Sequence, residues 1–300
     1  MTVGLGLAAV AFVAAVVNGA LGYGFSSITV PVALLFLSNR ILNPALVLVE
    51  VTLNAYVLWV NRSAIGRVQR RIQPIVIGLV PGIAFGTLIL ARVHPSWLRL
   101  WTFVVLLPLI LAQAAGYRRP IRSERKAGLL VGSTVGGLYA VTTISGPPLA
   151  VMLSNQGFVL QEFRAALGSI RLAESSLTAT AYAFAGLFSR ESLALLPWIV
   201  PSVVFGVPVG AWIIRRVRAE AFRRICMSFD AWVVAFGIST LLNELKIVPG
   251  PSAFVVLVVV ASVDVWMLYR FFGANGGNGG NRGNGNPNRG TEQRRETEAI

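Results

Sequence analysis

Asn18-Gly19-Ala20-Leu21-Gly22-Tyr23-Gly24-Phe25-Ser26-Ser27-Ile28-Thr29-Val30-Pro31 interrupts the first hydrophobic stretch of the chain. Apolar runs flank it on both sides, so it stands where a membrane-spanning helix ought to be continuous. Three glycines, an asparagine, adjacent serines and a proline there would leave backbone groups unpaired in hydrocarbon. Such backbone is tolerated at membrane depth only where protein buries it or it lines a wet cavity. Thr142-Thr143-Ile144-Ser145-Gly146-Pro147-Pro148-Leu149 breaks a later apolar stretch in the same way. Paired broken segments in the two halves of a membrane protein point to a transport site.

The surrounding chain is 55% hydrophobic and 13% charged, with a mean hydropathy of +0.70, whereas a soluble domain carries about 25% charged residues. Its apolar runs approach ~20 residues, the span of a bilayer core. The chain therefore reads as an all-α polytopic membrane protein. No basic segment precedes the first apolar run, so a cleaved signal peptide is not expected. The net charge of +14 suits arginine-rich cytoplasmic loops, which the positive-inside rule requires, and nucleic acid is not an expected partner. Cys226 and His94 stand alone, which excludes an internal disulfide, a thiolate cluster and a histidine metal site.

The chain divides into an expected first repeat at 1–116, a basic cytoplasmic loop at 117–127, a second repeat at 128–242, a C-terminal helix at 243–272 and a disordered Gly/Asn-rich tail at 273–300. The first stretch is expected to form two half-helices of about 15 residues each, too short to span the core. Helices are then expected at 41–60, 74–91 and 100–116, with 61–73 as a basic loop. The second half repeats the order: a broken stretch, then helices at 165–188, 193–214 and 225–242, before a last one at 251–269.

Loop charge decides how the broken stretches sit. If each were one crossing, the basic loops at 61–73 and 215–224 would face opposite sides, against the positive-inside rule. If each is a hairpin that enters and leaves on one side, the loops at 61–73, 117–127 and 215–224 and the basic tail all become cytoplasmic. Each repeat is then a broken-helix hairpin plus three transmembrane helices. An odd number of crossings makes the two repeats inverted.

Gly22-Tyr23-Gly24-Phe25-Ser26 followed by Val30-Pro31 resembles the glycine-rich hairpin of the sulfite exporter TauE/SafE family. Ile144-Ser145-Gly146-Pro147-Pro148-Leu149 is similar to that family's second-repeat signature, and Phe163-Arg164-Ala165-Ala166-Leu167 fits the pattern after it. The first hairpin departs from the family by having Phe25 and Ser26 where further glycines are common. The resemblance implies a permease for small anions, often sulfur-containing, working without cofactor or ATP.

Half-helices that begin inside the membrane present free amides and a partial positive charge to an anion. The candidate substrate-binding residues are Gly22, Gly24, Ser26, Ser27, Thr142, Thr143, Ser145, Gly146, Pro147 and Arg171. Arg171 at membrane depth reads either as an anion ligand or as a structural partner of Glu174, one turn away. Glu50 reads as a proton carrier or as one arm of a clamp to Arg171 between the repeats. Asn18 and Asn54 would line the cavity or bridge helices, and Asp230 and Asp264 are weaker candidates.

The function expected is a secondary transporter of the cell inner membrane, carrying a small sulfur-containing oxyanion or organosulfonate by alternating access. The alternative is a passive channel for small anions or neutral solutes. The partners are the anionic substrate and the lipid bilayer, with a homo-oligomer left open. No cofactor, metal or enzymatic activity is expected. No nucleotide-binding glycine loop occurs.

Overall fold

The computed structural model describes residues 2–114, 124–154, 160–213, 216 and 219–277. Among these the chain is all-helical, with no strand. The elements are α1 (Thr2–Leu21), α2 (Phe25–Ala33), α3 (Asn39–Val60), α4 (Ile65–Arg92), α5 (Pro95–Ala114), α6 (Glu124–Thr142), α7 (Gly146–Ser154), α8 (Leu160–Phe184), α9 (Arg190–Leu193), α10 (Leu196–Ile213), α11 (Ala219–Glu244) and α12 (Val255–Gly277). By its internal packing the chain divides into Met1–Ala261 and Ser262–Ile300, and the packing below belongs to the first unit.

Four described segments are long and apolar enough to cross a membrane: Asn39–Val60, Arg62–Arg92, Arg190–Ile213 and Pro251–Tyr269. Gly4–Ala20, Gly128–Thr142 and Ala231–Glu244 are shorter apolar helices. Ile77 and Phe85 on α4, and Val204 and Phe205 on α10, stand exposed. A water-soluble fold rarely leaves so many large apolar side chains uncovered, while a hydrocarbon surround asks for it.

Two helix pairs are held at backbone distance by glycine. Gly78, Gly82 and Gly86 recur every four residues on α4 and face Gly132, Gly136 and Gly137 of α6. A methyl at Gly82 would run into the Ser133 carbonyl, and one at Gly136 would lie 2.8 Å from the Leu79 carbonyl. α1 meets α10 in the same way, with Gly19 against the Val207 carbonyl and Gly210 against that of Val16. Small residues at four-residue spacing let helices approach closely where no hydrophobic drive exists between them. Residue numbers rise together along both contacts, so both pairs are parallel.

α3 packs on α8 and α5 on α11, each pair antiparallel: Glu50 meets Arg171 while Val57 meets Gly168, and Arg99 meets Glu244 while Phe103 meets Gly237. α2 packs on α11 and α7 on α5. The core gathers α4, α6, α7 and α8 around Ile75, Leu79, Leu149, Leu153, Ala166 and Ile170.

Two expectations are corrected. The arms of the first break are unequal: α1 has 20 residues and α2 has nine. At ~1.5 Å per residue α1 alone is about a bilayer core long. The stretch 61–73 is not a loop, because α4 begins at Ile65 and Pro74 lies inside it. Val68, Ile72, Ile75 and Leu79 recur at helical spacing and are all buried, so packing carries the helix through its proline. The expected basic loop at 117–127 lies mostly outside the described residues, and so does the tail from 278 onward.

Candidate functional site

Both breaks are real, and they lie against each other. A methyl on Gly146 would touch the Tyr23 ring at 3.5 Å and the Gly24 amide nitrogen at 4.0 Å. Tyr23 shares one buried cluster with Leu149 and Ala150 of α7. Gly22 and Gly24 take φ of 82° and 106°, open to glycine with little strain. Thr143 reaches φ 55° as a β-branched residue, a strained conformation that its surroundings must enforce.

Those surroundings are the hydrogen bonds that finish α6. Helix ends leave four carbonyls unpaired, and in an apolar interior each needs a partner. Thr142 Oγ1 donates to Leu138 O at 2.7 Å. Thr143 N donates to Tyr139 O at 2.6 Å. Tyr182 OH donates to Ala140 O at 2.5 Å. Asn43 Nδ2 donates to Val141 O at 2.6 Å. Thr143 Oγ1 donates to Thr142 O at 2.7 Å. The end of α6 is sealed by side chains. At the end of α1, Gly22 N donates to Asn18 O at 2.7 Å, and Asn18, Gly19 and Gly22 border a cavity.

Behind the breaks lies a buried polar network. Glu50 of α3 is fully buried. Its Oε1 accepts from Ser26 Oγ at 2.5 Å and from Arg171 Nη2 at 2.7 Å, and its Oε2 accepts from Tyr139 OH at 2.6 Å. The carboxylate thus ties together α2, α3, α6 and α8. Glu174 of α8, also fully buried, accepts from Ser145 at the start of α7. Each break therefore contributes a serine to a glutamate of the long helix that follows it. Asn54 bridges to the Arg171 carbonyl at 3.4 Å.

The network is not saturated. Arg171 is 2% exposed, and its Nε and Nη1 have no hydrogen-bond partner among the described residues. Glu174 Oε1 has none either. A guanidinium offers five N–H donors in a planar fork that matches a carboxylate or sulfur oxyanion. Unmet donors this deep are destabilising unless something else fills them.

Of the candidate residues, Ser26, Glu50, Arg171, Ser145 and Glu174 form this network. Thr142 and Thr143 commit their hydroxyls to the end of α6. Ser27 and Gly24 are buried at the start of α2, and Gly146 opens α7. Pro147 is the second residue of α7, and its side chain lies outside the described ones, as does that of Asp230. Gly22 faces the cavity. Of Glu174 and Glu50 as partners for Arg171, the geometry gives Glu50, with N–O contact at 2.7 Å. Tyr139 was not visible as a site residue in the sequence. Its one signal was a phenol three residues before a break, inside a run where a buried hydroxyl needs a partner.

A family model described as Sulfite exporter TauE/SafE matches residues 7–237. The chain belongs to the sulfite exporter TauE/SafE family. That family is one of membrane transporters. The matched span contains both breaks and the Glu50–Arg171 pair of this TauE/SafE chain, and ends within α11. Searches of curated proteins and of solved structures found no match to it.

Proposed function

We propose that this TauE/SafE chain is a secondary transporter that moves a small sulfur-containing oxyanion or organosulfonate by alternating access. Arg171 carries the reading: a buried guanidinium beside both breaks, with Nε and Nη1 unpartnered. The anion docks on these free N–H groups while Glu50 keeps one N–H of Nη2. The first-turn amides of α2, on Phe25, Ser26 and Ser27, lie beyond the reach of any preceding helical carbonyl and complete the shell. Gly146 adds one amide from α7, where Pro147 and Pro148 have none to give. The hydroxyls of Ser26, Ser27 and Ser145 stand at the same two helix starts.

Reciprocal packing supports two inverted repeats, at 1–116 and 128–242. α1 lies on α10 as α6 lies on α4, α2 on α11 as α7 on α5, and α3 meets its counterpart α8. The parallel and antiparallel directions of these pairs put the C-terminal ends of α3, α5 and α10 at one end of the first unit. That is the arginine-rich end, which the positive-inside rule makes cytoplasmic in a cell membrane. α12 is the additional C-terminal crossing.

The test is uptake of labelled sulfite and of labelled alkanesulfonate into vesicles holding the full chain. Arg171→Gln keeps the bulk but removes the charge, and is expected to reduce uptake at least ~10-fold, since charge-assisted bonds contribute about 1.5–3 kcal/mol. Undiminished uptake and unchanged KM in that variant would remove Arg171 as the ligand. Movement only down a gradient would return the passive-channel reading.

A further inference from the structure

A cavity of about 660 Å³ lies between the end of α1, the end of α3, the start of α8 and the second half of α10. Asn18, Gly22, Tyr56, Arg164, Val207 and Trp212 are among the residues that line it. Arg164 is its one charged side chain among the described residues. None of the residues of the Glu50–Arg171 network lines it.

Arg164 has a counterpart that shows what it is not doing. Arg40 stands ten residues before Glu50, near the start of α3, and Arg164 ten residues before Glu174, near the start of α8. Arg40 is consumed by structure: Nε donates to Leu90 O at 2.8 Å, and Nη2 to Ala91 O at 2.7 Å and Val93 O at 2.9 Å, closing the end of α4. Arg164 makes no hydrogen bond or ion pair among the described residues. It is half-buried on the wall of a cavity. Beside it Asn18 is 2% exposed, and its unpartnered atom is the acceptor Oδ1 rather than a donor. Arg216 stacks on Trp212 at 4.0 Å from the ring centroid and adds positive charge at the rim.

The rest of the wall is apolar, with valines, a proline and the Trp212 indole. A single cation, amide and phenol groups and a large apolar remainder describe a ligand with one anionic head and a hydrocarbon body. The volume says the same, since cavities of about 300–1,000 Å³ hold organic ligands, and a bare sulfite would leave most of this one unfilled. We propose that this cavity binds an organic monoanion, an alkane- or arenesulfonate, with Arg164 on the sulfonate and the Val207–Trp212 wall against the carbon chain. The choice of sulfonate over carboxylate rests on the transport reading above; binding of an amphiphilic anion does not.

The experiment is calorimetric titration of the full chain in nanodiscs with butanesulfonate, sulfite and butylammonium. Wild type is expected to bind butanesulfonate more tightly than sulfite and to ignore butylammonium. Arg164→Gln is expected to weaken butanesulfonate at least ~10-fold, in line with loss of a charge-assisted pair, and Arg164→Lys to restore part of it. Ala211→Leu narrows the cavity without touching its charge and is expected to weaken butanesulfonate but not sulfite. Arg67→Gln, an exposed arginine outside the cavity, binds as wild type. Butanesulfonate affinity unchanged in both Arg164→Gln and Ala211→Leu would overturn the proposal, as would equal binding of butylammonium. Repeating the titration in phosphatidylcholine and in phosphatidylglycerol nanodiscs separates a soluble ligand from a lipid headgroup. Binding seen only after anionic lipid is left out means that lipid holds the site, and overturns the sulfonate assignment. Failure of uphill transport with Arg164-dependent binding intact would sink the transport reading alone, and the converse would sink this one alone.

Discussion

The two breaks do the same job with different chemistry. The first turns on Gly22 and Gly24 and borders a cavity. The second turns on strained Thr143 and is closed by hydroxyls, an amide and a phenol that answer the last carbonyls of α6. Arg40 and Arg164 repeat the contrast, one capping α4 and the other facing open space. The last carbonyls of α6 are answered by side chains, whereas the end of α1 opens onto a cavity with Arg164 on its wall.

The largest effect should come from the residue that joins the halves. Glu50→Ala leaves Arg171 buried without its counter-charge and frees Ser26 and Tyr139. It is expected to cost about 3–5 kcal/mol, the range for breaking one side of a buried pair. Denaturant unfolding in micelles measures this. A loss under ~1 kcal/mol would mean that Arg171 has another partner. Glu174→Ala removes one hydroxyl bond to an already under-satisfied carboxylate, and is expected to lose less than Glu50→Ala does. Equal losses for the two glutamates would erase the asymmetry.

How much of this the sequence shows follows from distance along the chain. Both breaks were legible because glycine, proline, serine and threonine cluster inside apolar runs that would otherwise continue as one helix. Loop charge is what led the sequence reading to two hairpins in inverted halves. For Arg171 the sequence left two partners open, Glu174 three residues away in the chain and Glu50 121 away, and spacing alone could not choose between them. Tyr139 reaches Glu50 across 89 residues, and nothing local announces it. The start of α4 was misplaced because Pro74 looked like a first-turn proline, whereas buried Val68 and Ile72 extend the helix before it.

A middle-sized effect separates the breaks directly. Tyr182→Phe leaves the Ala140 carbonyl unanswered in a dry interior, and about 1–3 kcal/mol should be lost. Asn18→Leu at the cavity wall should lose well under that, because water can replace the amide. If the order reverses in micelle unfolding, the first break is the sealed one. Gly22→Ala is expected to fall between Tyr182→Phe and Asn18→Leu. A methyl there meets nothing within 4 Å, so the loss is that of a left-handed alanine, about 1–2 kcal/mol. A larger loss would mean that the space at Gly22 is filled in the working protein.

The most direct measurement is accumulation of a labelled alkanesulfonate in sealed vesicles containing the purified full chain, under an imposed proton or sodium gradient. A secondary transporter concentrates the label above its outside level, and Arg171→Gln abolishes that concentration. Label that only equilibrates, at a rate indifferent to either gradient and to Arg171, would contradict it.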